Sequence, residues 1–118
     1  MVINNVSYED LLTREVKKET VTKIILNEGH ITYIDKDSKV NIIYDKNSCE
    51  IIRKGESVTI ISLLKDNVGK CTINSAYGQI VFDTKLINII KTTKYLEVEY
   101  QLLEQKNIVS HLKYRIEF

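Results

Sequence analysis

Apolar residues recur along this chain at every second position. The clearest run is Leu96-Glu97-Val98-Glu99-Tyr100-Gln101-Leu102, where Leu96, Val98, Tyr100 and Leu102 share one face and Glu97, Glu99 and Gln101 the other. A period of two marks a half-buried β-strand. The final residues repeat it: Ile108, Ser110, Leu112, Tyr114, Ile116 and Phe118 lie on one face, and His111, Lys113, Arg115 and Glu117 on the other. Gln105-Lys106-Asn107, between these runs, predicts a hairpin turn. Glu97 and Glu99 are expected on its solvated side.

The same alternation continues upstream. Val58, Ile60, Ser62 and Leu64 form a face, as do Cys71, Ile73, Ser75 and Tyr77, and Ile80, Phe82, Thr84 and Leu86. Turn-forming clusters separate the runs at Asn27-Glu28-Gly29, Asp35-Lys36-Asp37-Ser38, Asp45-Lys46-Asn47, Lys54-Gly55-Glu56 and Lys65-Asp66-Asn67-Val68-Gly69. Ile, Val and Thr dominate the strands, as pleated packing favours. Eight or more short strands with no helix between them predict an all-β domain, a small closed or nearly closed antiparallel β-barrel spanning residues 1–118. One segment departs from the pattern. Ser7 and Asp10 have capping-box spacing, and Tyr8, Leu11, Leu12 and Val16 fall near helical spacing, so a short amphipathic helix is expected over Ser7 to Lys18.

Composition narrows the picture. A chain of 118 residues with 43% hydrophobic and 28% charged residues is one ordinary globular domain. It buries roughly two-thirds of its surface on folding, so a core needs neither disulfides nor metal. With no Pro and only four Gly, no segment reads as a linker. The net charge of +1 argues against a nucleic-acid partner. Heavy use of Lys, Ile and Asn reflects coding bias in an A/T-rich genome. Apolar runs of three residues or fewer argue against a membrane helix, and Met1-Val2-Ile3-Asn4-Asn5 shows no secretory signal, so a soluble protein of the cytoplasm is expected. No part of the pattern specifies an oligomeric state.

Candidate chemistry is sparse. Arg53 shares a parity with Cys49 and Ile51, which places a charge on the inward face. Such a group needs partners. It is either a guanidinium awaiting an anionic ligand or a strand-end group closing the barrel on a carboxylate or turn carbonyls. Tyr44, Tyr77, Tyr100 and Tyr114 also take inward parity, to line a pocket or to fill the core. Cys49 and Cys71 read as free, buried packing residues. His30 and His111 stand alone, without a second ligand at zinc spacing, and Asp35-Lys36-Asp37-Ser38 lacks the Gly and Glu of a calcium loop. No catalytic set, metal site, phosphate loop or cofactor is expected.

The strand pattern resembles the YwiB-like family of small bacterial proteins. Glu28-Gly29-His30-Ile31-Thr32-Tyr33 followed by Val40 to Asp45 is similar to that family's Gly-led hairpin ending in a Tyr-acid pair. Arg53-Lys54-Gly55 is similar to its Arg-x-Gly turn, Ala76-Tyr77-Gly78 with Thr84 to its aromatic-Gly corner, and Leu96 to Leu102 with Ser110 to Ile116 to its final hairpin. The resemblance covers Thr20 to the C-terminus and implies a calycin-like barrel of uncharacterised function. It departs in a short Tyr44–Arg53 stretch and in the helix-like segment where the family has its first strand. Lipocalin ligand roles do not transfer, because the chain has no Trp and so no Gly-x-Trp signature.

Two functional readings follow. The first is a binding module that holds a small molecule in the barrel mouth or lumen against Arg53, Tyr44, Tyr77 and Tyr100. The second is a protein-interaction or structural domain with a filled interior. An interior cavity of a few hundred Å3 favours the first, and a packed interior with an exposed apolar patch favours the second. An enzyme would need a perturbed His or carboxylate in a cleft.

Overall fold

The described residues form eleven strands: β1 (Asn5–Asp10), β2 (Val16–Thr20), β3 (Thr22–Asn27), β4 (His30–Asp35), β5 (Ser38–Tyr44), β6 (Ser48–Lys54), β7 (Val58–Leu64), β8 (Gly69–Ser75), β9 (Gly78–Lys91), β10 (Tyr95–Glu104) and β11 (Asn107–Glu117). The computed structural model describes residues 5–118. The signal-peptide reading rests on Met1–Asn5, of which the first four lie outside that range. The strands form one sheet in the order β2-β1-β11-β10-β9-β8-β7-β6-β5-β4-β3, and every pairing is antiparallel.

The outermost strands of that order are consecutive in the chain, and this nearly closes the sheet into a barrel. β2 pairs with β1, and β3 with β4. Only the buried Val21 lies between β2 and β3. Val16 to Asn27 is thus a single bent run that passes from one end of the sheet to the other. Lys23, at φ 54°, and a register skip between Thr22 and Ile25 mark the bend.

A buried apolar cluster occupies the interior between the two mouths. Val6, Ile31, Tyr33, Val40, Ile42, Cys49, Ile51, Leu63, Leu96, Val98, Tyr100, Tyr114 and Ile116 form one buried cluster. They sit at alternate positions of their strands, as the period of two requires.

Three expectations are corrected. Ser7 to Lys18 is not a helix but the β1–β2 hairpin. Asp10 turns the chain there, accepting the Leu12 N–H at 3.0 Å on its carboxylate and the Arg14 N–H at 2.8 Å on its carbonyl. β1 lies between β2 and β11, so its backbone groups find partners on both edges. A short isolated helix is marginal and cannot match that. On β7 the inward residues are Ile61 and Leu63, while Leu64 is exposed. Both faces of this strand are apolar, so alternation alone does not choose between them. Tyr77 is not inward: it stands fully exposed at the tip of the β8–β9 hairpin, beyond the last ladder pair Ser75–Gly78.

The short Tyr44–Arg53 stretch truncates nothing. β5 and β6 pair fully across the Asp45–Asn47 turn. The Gln105–Lys106 turn forms as expected, with both residues at positive φ.

Candidate functional site

Alternation carries β6 inward at Cys49, Ile51 and Arg53, which brings Arg53 to the end of the barrel where β4 and β1 also present polar inward residues. Arg53 Nη1 donates to Asp35 Oδ2 at 3.1 Å, and Nη2 donates to the Tyr8 hydroxyl at 2.5 Å. Asp35 is nearly buried, while about a third of the Arg53 side chain (32%) meets solvent. Tyr8 stacks on Tyr114 with ring centroids 4.8 Å apart, and the Tyr114 and Tyr33 hydroxyls are hydrogen-bonded to each other.

Electrostatics supports a tie rather than a vacant binding group. Burial works against the charge on Arg53, but the Tyr8 oxygen and the Asp35 carboxylate outweigh it and raise its pKa. Burial likewise pushes the Asp35 carboxyl up, but hydrogen bonding with Glu19 and Arg53 overcomes this and holds it below the usual carboxylate range. Tyr33, Tyr100 and Tyr114 are all raised, chiefly by burial. Tyr8 lies on β1 and Asp35 on β4, on either side of the bent β2–β3 run. The guanidinium therefore spans the closure of the barrel. Around it lies an open cleft of about 630 Å3 lined mainly by charged and hydroxyl groups, including Lys17, Glu19, Lys36 and Ser38.

Tyr44 lies at the opposite end. There a cleft of about 850 Å3 has a floor of Ile31, Tyr44, Ile89 and Phe118 and a rim that includes Glu28, Lys46 and Lys91. Gly29 shapes one wall. Its φ of 72° and a prospective Cβ only 3.1 Å from the Tyr44 carbonyl leave little room for any other residue. Burial, together with Cys49, raises the Tyr44 phenol. Among the described residues its hydroxyl has no hydrogen-bond partner. The Asp45 carboxylate is already occupied, accepting the Asn47 N–H at 2.7 Å and the Ser48 hydroxyl at 3.1 Å. Those bonds hold its pKa low. Lys91 Nζ sits 5.1 Å above the Phe118 ring.

The four residues expected to share a pocket are thus dispersed. Arg53 and Tyr44 occupy opposite mouths, Tyr100 is sealed in the core at 3% exposure, and Tyr77 is outside. The residues that sequence reasoning missed are Tyr8, assigned to a helix, and Asp35, assigned to a turn. Ile31, Tyr33 and Asp35 share a parity, which was the available signal for Asp35.

Both histidines lie on the outer wall. His30 is 3.4 Å from the Asn41 and Thr32 side-chain oxygens, and His111 Nε2 is 2.8 Å from Glu99. Glu99 and Glu97 are correspondingly half-buried in cross-strand contacts with His111 and Arg115 rather than freely solvated. Cys49 and Cys71 are free and buried. Among the described residues there is no metal-ligating cluster and no helix long and apolar enough to cross a membrane.

No protein-family model matches the chain, and no curated protein matches it. Among solved structures it is similar to the crystal structure of the ywiB protein from Bacillus subtilis, over 97% of this chain and 85% of that one, with a TM-score of 0.49 and 11% identity. At this distance the likeness carries no argument, and the barrel stands on its own strand register.

Proposed function

We propose that the protein is a binding module whose ligand sits in the Tyr44 mouth and is a small amphipathic anion. A lumen site is disfavoured by the interior packing of Tyr33, Tyr100, Tyr114, Leu63 and Leu96. The Arg53 mouth has its guanidinium committed to Asp35 and Tyr8. The observation that carries the reading is the Tyr44 mouth itself: an apolar floor of Ile31, Ile89 and Phe118, an unpartnered phenol, and the Lys46 and Lys91 ammonium groups at a rim they share with Glu28 and Asp45, the latter carboxylate already occupied by Asn47 and Ser48. Ligand sites are mostly apolar with a few convergent polar groups, and this volume lies in their range.

Straight-chain carboxylates test the reading. Each CH2 that enters the cleft contributes about 0.8 kcal/mol, roughly fourfold in Kd. Octanoate should therefore bind more tightly than hexanoate by about fifteenfold, and more tightly than octanol, which lacks the charge. Amide and methyl NMR shifts should concentrate at Ile31, Tyr44, Ile89 and Phe118. Tyr44→Phe and Lys46→Glu should each weaken octanoate. Equal binding of octanoate and octanol, or shifts confined to other parts of the barrel, would refute the proposal.

A further inference from the structure

The outer wall carries a feature that neither mouth explains. Ile52 on β6 and Ile60 on β7 are cross-strand partners. Both face outward, since Ile51 and Leu63 take the core side of their strands. By register they belong to a row that crosses the sheet as Asn41, Ile52, Ile60, Thr72 and Val81. Ile52 and Ile60 are partly exposed; Val81, beyond Thr72 in the row, is 49% exposed, and Ile43, outward in the next row opposite Glu50, is 52% exposed. A sheet face turned to water ordinarily alternates to polar residues, so a cross-strand apolar pair with exposed apolar neighbours is a candidate interaction surface.

The charges beside this row identify the partner. The outward positions of β6 are Glu50, Ile52 and Lys54, and residues two apart on a strand are about 6.6 Å apart. Acid and base thus stand at equal distances on either side of the apolar row. Lys39 is directly opposite Lys54 on the same face. Like charges so placed repel, and an acid from another molecule would relieve that. Among the described residues Glu50, Lys54 and Lys39 have no ion-pair partner.

We propose that this wall is the face of a two-fold symmetric dimer of the chain. With the axis lying between the two faces and along the Ile52–Ile60 row, each Ile52 and Ile60 meets its own counterpart. Lys54 then meets the partner's Glu50, and Glu50 meets the partner's Lys54. A two-fold interface must be self-complementary in this way. An unrelated partner would not require acid and base to be balanced about the apolar row.

Sedimentation velocity over a concentration series tests it. The wild type should move from 13.7 kDa towards twice that mass. Ile60→Lys, at an outward position, should keep the wild-type circular dichroism and weaken dimerisation by roughly a hundredfold, in the range set by burying an unpaired charge at the centre of an interface. Should Ile60→Lys unfold, the β-branched Ile60→Thr takes its place, with a weaker but measurable loss. Glu50→Lys and Lys54→Glu should each weaken association by about tenfold, more at low salt, and their combination should restore it. A wild type that stays monomeric at all concentrations overturns the proposal. So does a dimer indifferent to substitution at Ile60, or a double swap weaker than either single change.

Discussion

Replacing Arg53 with Met keeps most of the bulk and removes the donors that join β6 to β4 and β1. Asp35 is then left with 6% of its side chain exposed and its main hydrogen-bond donor gone. Breaking a fully buried pair from one side costs about 3–5 kcal/mol, and breaking an exposed one costs roughly 0–1 kcal/mol. Asp35 resembles the first case. Arg53, a third in water, resembles the second, and Lys36 remains near enough to Asp35 to lower its pKa. About 2–3 kcal/mol is the expected loss. With a urea slope near 1–1.5 kcal/mol/M, the midpoint should fall by about 2 M. The melting temperature should drop by roughly 10 °C.

Acid provides an independent check with a definite sign. In the wild type the Asp35 pKa is held low, so the pair stabilises at neutral pH and that stability is lost as pH falls through the folded value. In the variant, burial is no longer opposed by Arg53, and the carboxyl moves upward. Its penalty is present above the new folded value and is relieved as pH falls through it. The stability gap between the two proteins should therefore be widest near pH 7 and clearly smaller near pH 3. Asp35→Asn combined with Arg53→Met should cost less than the sum of the single changes. A variant that unfolds at the wild-type midpoint, or a gap that does not vary with pH, would refute the idea that Arg53 ties the barrel shut.

Four further outcomes are expected. Gly69→Ala should cost about 2–4 kcal/mol in a denaturant melt, because a Cβ there would lie 2.0 Å from the Ser62 carbonyl oxygen and 2.6 Å from Thr84 Oγ1. Gly55→Ala should cost much less, since its nearest obstacle is the Ser38 hydroxyl, which can rotate away. Cys49, whose thiol burial pushes up to about 12, and Cys71, raised by the same cause, should both resist an aromatic disulfide reagent at pH 8 until the protein unfolds. Gln105→Asn with Lys106→Gly should raise stability by about 1 kcal/mol in a thermal melt, because the present pair holds φ of 50° and 69°, which Asn and Gly tolerate better.

What the sequence disclosed was set by how many neighbours a strand needs to reveal itself. β10 and β11 were legible because one face is apolar and the other charged, and their turn is short. Arg53 was legible as inward because Cys49 and Ile51 fix the parity of β6. β7 was not, since Ile60-Ile61 and Leu63-Leu64 are apolar on both faces. β1 was misjudged for a different reason: its local pattern suits a helix, and its strand character comes from pairing with β11, at the far end of the chain. The partners of Arg53 were hidden with it, because Tyr8 and Asp35 meet the guanidinium only once the sheet has curled. The outward Ile52, which blurs the inward parity of β6, belongs to the row proposed to meet a second copy.

The pairing of β1 with β11 also bears on how the molecule is made. Asn5 lies opposite Glu117, so the first described strand finds a permanent neighbour only after the last has been synthesised. Its other neighbour, β2, gives a two-stranded hairpin, which is marginal alone in water. A nascent chain therefore carries Val6 and Tyr8 without their β11 neighbours until β11 has emerged. Closing so long a loop in one step is slow, because the entropy of closure must be lost before the contacts form. The same adjacency makes a covalent join between these two strands short. A circular permutant opened at the exposed Ala76–Tyr77 tip would pair the two strands locally, and it should fold faster than the natural order while keeping the same barrel.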